Sequence, residues 1–184
     1  MDSEQLLDAV ERVGQRLANS DPNMPMVRLL VVGGVAGMLT KVLPADRTTT
    51  DCDVMDLVPA DRWEAVRQAA AEVGRELGLK PTWLNQDSRA YQHYMPVGWQ
   101  SRCVEVGLFG KLDVRVAQRA DLIVAKVMGA AQRVQDREDL RFLKPTADEL
   151  DRVDKQLDRF EAESLDYQTF AQQRAIVAAL RDGA

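Results

Sequence analysis

The segment from Met26 to Gly34, MVRLLVVGG, is an almost continuous run of aliphatic residues that ends in two glycines. A run this apolar leaves no face for water, so it predicts a strand buried inside a sheet. Gly33 and Gly34 predict a tight turn, and the next residues, up to Pro44, predict a short helix. A buried strand needs neighbouring strands and covering helices, and the chain must therefore build an internal sheet.

A second strand is predicted by the segment TDCDVMDLV, which begins at Thr50 and alternates in polarity. Successive strand side chains point to opposite faces, so Asp51 and Asp53 project from the same face, about 7 Å apart. Two like charges placed this way are either solvated or bridged by a cation. Turn chemistry alone would also explain Asp51, because TTTD is a favourable turn sequence.

Further strands and helices complete the predicted fold. VEVGLFG and KLDVRVA predict two strands joined through Gly110, and the pattern is helical from Asp121 onward. We therefore predict an α/β (α+β) fold, a mixed sheet flanked by helices with a C-terminal helical extension. The core would span residues 1–117, and the helical region 118–184 would pack on it as part of one structural unit.

A third carboxylate is available in KLDVRVA. Leu112, Val114 and Val116 form its apolar face, which leaves Asp113 and Arg115 on the other face. If this strand lies beside the first, Asp113 joins the aspartate pair. Three carboxylates without matching bases form an oxygen-rich site suited to Mg²⁺.

In this order the motifs resemble those of nucleotidyltransferases of the polymerase-β superfamily, where a Gly-Gly turn, an Asp-x-Asp strand and a later lone Asp form the active site. Gly33, Gly34, Asp51, Asp53 and Asp113 occupy these places. The resemblance implies that the mixed sheet is of the nucleotidyltransferase type. The interval between Gly34 and Asp51 is longer than is usual in that superfamily, which predicts an extended loop around LPADRT.

The second half is similar to small bacterial nucleotidyltransferases of the abortive-infection (AbiEii-like) toxin kind and their uncharacterised relatives. The resemblance covers roughly residues 27–143 and includes PTWLN, which ends at Asn85. The matching positions of its closing motif are Lys126, Ala130, Arg133, Asp136 and Asp139.

The resemblance implies that an acceptor hydroxyl attacks the α-phosphorus of a nucleoside triphosphate (NTP) and releases pyrophosphate. It implies two Mg²⁺ ions, with Mn²⁺ as the alternative, and as acceptor a tRNA 3′ end or a protein hydroxyl. A cognate antitoxin is the implied partner of the toxin-like members. The resemblance implies that Asp51, Asp53 and Asp113 bind the metal ions and that Asp113 also takes the acceptor proton. Lys126 is expected to stabilise the transition state. Contacts to the triphosphate are expected from Gly33, Gly34, Arg47, Thr49 and Arg133.

Several residues also have purely structural interpretations. Lys126 could be a surface lysine whose stem covers apolar residues, and Asp136 could cap a helix that begins after a break at VQD. Asp139 stays open. The aromatic residues Trp83, Tyr91, Tyr94 and Trp99 are interpreted as core under a long loop rather than as a base-stacking platform.

Composition limits the competing functions. The net charge of −5 disfavours a general nucleic-acid-binding module, and the alternative we retain is a regulatory protein that binds nucleotide without turnover. Cys52 and Cys103 are predicted to be reduced and structural, and a start without a signal-peptide pattern predicts a cytoplasmic protein. No apolar run approaches the roughly 18 residues that span a bilayer, so no membrane partner is expected.

Overall fold

The computed structural model of the chain describes residues 1–44, 46–163 and 169–183. The helices are α1 (Ser3–Ser20), α2 (Gly33–Leu39), α3 (Trp63–Leu77), α4 (Trp99–Arg102), α5 (Arg119–Ala130), α6 (Val134–Leu143), α7 (Ala147–Glu163) and α8 (Ala171–Asp182). The strands are β1 (Val27–Val31), β2 (Cys52–Val58), β3 (Leu84–Asn85), β4 (Val104–Phe109) and β5 (Leu112–Val116), and 3-10 segments cover Ala60–Arg62 and Asp87–Tyr94.

The strands form one five-stranded mixed sheet in the order β3-β2-β1-β5-β4. β1 lies in the centre, antiparallel to β2 and parallel to β5, while β3 runs parallel to β2 and β4 antiparallel to β5. The central place suits β1 because Leu29, Leu30 and Val31 are all buried. A mixed sheet flanked by helices, followed by C-terminal helices, confirms the predicted fold class.

Two apolar clusters meet at α5. The first lies around the sheet with α1 and α3, and the second joins the C-terminal helices. Leu122 belongs to the first cluster and the next residue, Ile123, to the second, so α5 attaches the C-terminal helices to the sheet. The division after residue 117 stays a prediction, and residues 164–168 and 184 of the predicted helical region lie outside the described residues.

The packing of α1 against the β4–β5 turn depends on a glycine. A Cβ added at Gly14 would overlap the carbonyl oxygen of Phe109, and the two backbones therefore touch directly. Glycine to alanine usually stabilises a helix interior by about 1 kcal/mol. Here we expect Gly14→Ala to lower the free energy of unfolding by about 2 kcal/mol, because backbone must move.

Urea denaturation would measure this effect. Gln15→Ala, at an exposed position of the same helix, is the matched control and should change stability by less than about 0.5 kcal/mol. A stabilised Gly14→Ala variant would contradict the close approach of α1 to the turn.

The cysteines agree with a further expectation. Cys52 and Cys103 are both buried free thiols, as predicted. Burial raises the pKa of Cys52 well above its usual range and that of Cys103 to about 11, so both thiols stay protonated and unreactive at neutral pH. Among the described residues, no helix combines the length and the apolar character needed to cross a lipid bilayer.

Candidate functional site

The Gly-Gly turn lies directly beside one carboxylate of the Asp-x-Asp motif. The N–H of Val32 donates to the carbonyl oxygen of Asp53 at 3.0 Å, which sets the end of β1 against the start of β2. Gly33 has a φ of +72°, and a Cβ there would lie 3.1 Å from Oδ2 of Asp53. Glycine is therefore needed for the backbone conformation and for the approach to the carboxylate.

Asp51 and Asp53 lie close enough for their charges to interact. Asp51 lies just before β2, is exposed, and accepts a hydrogen bond from the Thr49 hydroxyl at 3.1 Å. Asp53 is partly buried, and burial, followed by the charge of Asp51, raises its pKa, while Arg133 and a hydrogen bond with Asn85 act in the opposite direction. Burial and the charge of Asp51 together thus outweigh the opposing effects of Arg133 and Asn85.

This donor set fits a hard divalent cation. Mg²⁺ is usually held by one or two carboxylates and by substrate phosphates, and Asp51 and Asp53 supply two carboxylates. Asn85, which pairs with Asp53 across β2 and β3, is buried and holds the Asp53 side chain. Within the described ranges, however, no group of three or more acidic, histidine or cysteine side chains is arranged to hold a metal.

Asp113 does not join the pair. It pairs in register with Arg28 of β1, four residues before Val32, which places it about 13 Å along the sheet from the level of Asp53. Its carboxylate accepts hydrogen bonds from Arg28 at 2.7 Å and from Arg115 at 3.1 Å. Burial alone would raise the pKa of Asp113, but these two arginines outweigh burial and lower it. The expected convergence of three carboxylates is not found, because the strand register separates them.

Lys126 is neither a surface lysine nor a free cation. Its Nζ lies 2.6 Å from Oδ1 of Asp136 and 2.6 Å from Oδ2 of Asp139, and all three side chains are buried. Two of the three ammonium hydrogens are thus committed to carboxylates. The geometry favours an anchoring role for Lys126 over the expected neutralisation of phosphate.

A break between α5 and α6 creates this arrangement. In an unbroken helix, Asp139 would point about 140° away from Lys126. α5 ends at Ala130 and α6 begins at Val134, so α6 folds back and presents both of its aspartates to the lysine. The break therefore lies just before VQD and not at VQD as predicted, because Val134 already belongs to α6. The predicted cap is wrong, since Arg133 occupies the N-cap position of α6 and Asp136 lies inside the helix.

Two arginines border the charged cluster near the Gly-Gly turn. Nη2 of Arg47 lies 3.8 Å from the place where a Cβ of Gly34 would be, and Nε of Arg47 lies 3.3 Å from Asp139. Arg133, whose side chain is 62% exposed, approaches Asp136 at 3.4 Å and lowers the pKa of Asp53. The loop predicted around LPADRT thus leads Arg47 to the turn; Ala45 of that loop lies outside the described residues.

A cavity of about 340 Å³ brings most of these groups together. Its volume falls in the range of small-molecule sites, roughly 300 to 1,000 Å³. Its polar lining includes Gly33, Asp53, Lys126, Arg133 and Asp136.

The rest of the cavity lining corrects the interpretation of the aromatic residues. Trp83 and Trp99 are core residues, as predicted, but Tyr91 is 58% exposed and lines the cavity together with Tyr94. Sequence reasoning also missed Asn85 as a partner of Asp53, although its turn PTWLN was noticed. No pattern in the sequence indicated that Ser88 and Gln173 would line the cavity.

A Gly-Gly turn beside an aspartate pair, on a mixed sheet and open to a cavity with basic groups, is the arrangement that defines a nucleotidyltransferase-type site. The chain belongs to the family described as "Nucleotidyltransferase of unknown function (DUF6036)", whose model matches residues 4–174. No curated protein and no solved structure gives a significant match.

Proposed function

We propose that the protein transfers a nucleoside monophosphate from an NTP to a hydroxyl group. The observation that carries this proposal is the convergence of the Gly33 turn, Asp53 and the guanidinium of Arg133 on one cavity, with Asp51 beside Asp53. The family match supports nucleotidyl transfer at the level of the reaction class. The nucleotide and the acceptor are part of the proposal.

The triphosphate would lie against the Gly-Gly turn. The absence of side chains at Gly33 and Gly34 would leave room for phosphate oxygens. Arg47 supplies positive charge near Gly34, and Arg133 supplies it at the cavity. Asp51 and Asp53 would hold Mg²⁺ or Mn²⁺, which when bound supplies Lewis acidity at the reacting phosphate. The acceptor oxygen forms a bond to the α-phosphorus, the bond to pyrophosphate breaks, and the hydroxyl proton passes to solvent.

This assignment differs in three respects from the roles that the resemblance implies. Asp113 is left out, because Arg28 and Arg115 neutralise it away from the cavity. With two carboxylates, the protein itself is suited to one ion, and any second ion would depend on oxygen atoms of the triphosphate. Lys126 acts as an anchor for Asp136 and Asp139.

We include in the proposal the acceptors that the resemblance to AbiEii-like toxins implies, a tRNA 3′ end or a protein hydroxyl, and an antitoxin as partner. The support is the order of the closing motif, in which Asp136 and Asp139 contact Lys126 and Arg133 contacts Asp136. The choice between the two acceptors requires experiment.

The test is a transfer assay with α-labelled nucleotides. Purified protein is incubated with Mg²⁺ and each of the four NTPs in turn, with bulk tRNA in one series and cell lysate in the other. We expect label in one of the two acceptor pools, for a preferred nucleotide, and its loss when EDTA removes the metal. Absence of label in both pools with every nucleotide, from folded protein, would overturn the proposed transfer reaction.

A catalytically silent, nucleotide-binding regulator is the second candidate. The displacement of Asp113 and the neutralisation of Lys126 favour it, because both residues were expected to act in the reaction. Such a regulator would bind NTP in the presence of Mg²⁺ and transfer no label. Binding and transfer measured on the same preparation therefore separate the two functions.

A further inference from the structure

Part of the cavity wall has no role in the transfer reaction proposed above. Beside the charged groups it is formed by aromatic and thioether side chains, contributed mainly by the 3-10 segment Asp87–Tyr94 and by the C-terminal helices. A nucleoside triphosphate is likewise divided into a charged part and an apolar part, since it has a triphosphate at one end and a flat, largely apolar base at the other. The apolar members of this lining include Tyr91, Tyr94, Met95, Met128 and Phe170.

The 3-10 segment presents a regular face to the cavity. Residues three apart in a 3-10 helix lie on the same side. Ser88, Tyr91 and Tyr94 follow this spacing, and all three line the cavity. The local conformation therefore explains why one short segment supplies a hydroxyl group and two aromatic rings to the same space.

The two tyrosines differ in how they are held. The ring of Tyr94 packs edge-on against Phe170, with centroids 5.9 Å apart, and against Phe160 at 5.5 Å. In the part of the chain that the structure describes, Tyr91 packs against no other aromatic ring, and more than half of it is exposed. A large exposed aromatic side chain at a cavity is a free stacking surface.

The same face of the 3-10 segment carries a buried hydroxyl. Oγ of Ser88 is almost inaccessible to solvent and finds no hydrogen-bond partner in the described ranges, and Ser88 lines the cavity. A buried polar group without a partner is unfavourable, and such groups are uncommon in folded proteins. A ligand that brings a nitrogen or oxygen atom to Ser88 would remove this cost.

We propose that Tyr91 and Ser88 form a nucleobase subsite, in which the base of the NTP stacks on Tyr91 and makes a hydrogen bond with Ser88. This inference rests on the proposed nucleotidyl transfer and adds the residues that recognise the base. It also gives the C-terminal helices a role in substrate binding, because Phe170 supports Tyr94 and Gln173 lines the same cavity.

Calorimetric titration of the full chain in Mg²⁺ buffer tests the subsite, with the four NTPs and inorganic triphosphate as probes. We expect the preferred NTP to bind at least about tenfold more tightly than triphosphate, since base stacking on an aromatic ring is favourable by that amount or more. Tyr91→Ala should remove this advantage and leave the affinity for triphosphate unchanged. Tyr91→Phe should retain it, and Ser88→Ala should lose about threefold or more.

Phe142→Ala is the matched control, because Phe142 is an exposed aromatic residue of α6 that does not line the cavity. It should bind every probe as the unmodified protein does. Equal affinities for triphosphate and all NTPs, or equal losses for both probes in Tyr91→Ala, would overturn the base subsite and leave the triphosphate site intact. Binding of neither probe to the unmodified protein would overturn the proposed function and the subsite together.

Discussion

Asp53→Asn is expected to lower nucleotidyl transfer by about a thousandfold or more, and Asp51→Asn to have an effect of the same order. Each change removes one of the two carboxylates that would hold the metal beside the Gly33 turn, and the electrostatic stabilisation supplied there is large. Asp113→Asn should retain activity within about threefold, since Asp113 is paired with Arg28 and Arg115. Initial rates with saturating NTP and Mg²⁺ would measure all three variants.

Asp53→Asn should increase the stability of the fold, although it lowers activity. Because the pKa of Asp53 is raised in the folded state, its ionisation destabilises the fold as pH rises through the folded pKa. In metal-free buffer at neutral pH, Asp53→Asn should therefore unfold at a higher temperature, by a few degrees. Adding Mg²⁺ should raise the Tm of the unmodified protein and not that of the variant.

The outcome for Asp113 decides between the two descriptions of the metal site. If Asp113→Asn abolishes transfer while its Tm and its triphosphate binding stay normal, the carboxylate acts in the reaction, as the sequence resemblance implies. The separation of Asp113 from Asp53 along the sheet would then have to close in the active protein.

The contrast between Asp53 and Asp113 shows which parts of the site could be predicted from sequence. Both aspartates lie in strands whose alternation is plain, so the face on which each projects could be inferred. The position of a residue along a neighbouring strand depends on register, which alternation alone does not determine. Asp53 lies beside Gly33 because β1 pairs with β2 and the N–H of Val32 donates to the carbonyl oxygen of Asp53.

The C-terminal half shows a similar limit. The helical pattern was visible in the sequence and a break was predicted a few residues away, at VQD, but the direction in which α6 returns depends on tertiary packing. That direction brings Asp136 and Asp139 to Lys126. For the same reason Tyr91 was grouped with the core aromatics, since 3-10 spacing leaves no periodic signal in an irregular segment.

The buried ion cluster leads to the largest stability effect we expect. Lys126→Met would leave Asp136 and Asp139 facing each other without the ammonium group that now lies 2.6 Å from both. Removing one partner of a buried ion pair costs about 3 to 5 kcal/mol. We expect a loss of this size in the free energy of unfolding, or a fall in Tm of about 10 °C for a chain of this length.

A second substitution should reverse most of this loss and test the role of the lysine. In Lys126→Met/Asp136→Leu, Asp139 keeps Arg47 as a partner at 3.3 Å and no unpaired carboxylate remains. Arg12→Met is the control for a surface pair, because Arg12 and Asp8 are both half exposed, and it should cost less than about 1 kcal/mol. If the double variant folds stably and transfers nucleotide, Lys126 is an anchor. If it folds, binds nucleotide and shows no turnover, Lys126 acts on the reacting phosphate, and the anchoring role is wrong.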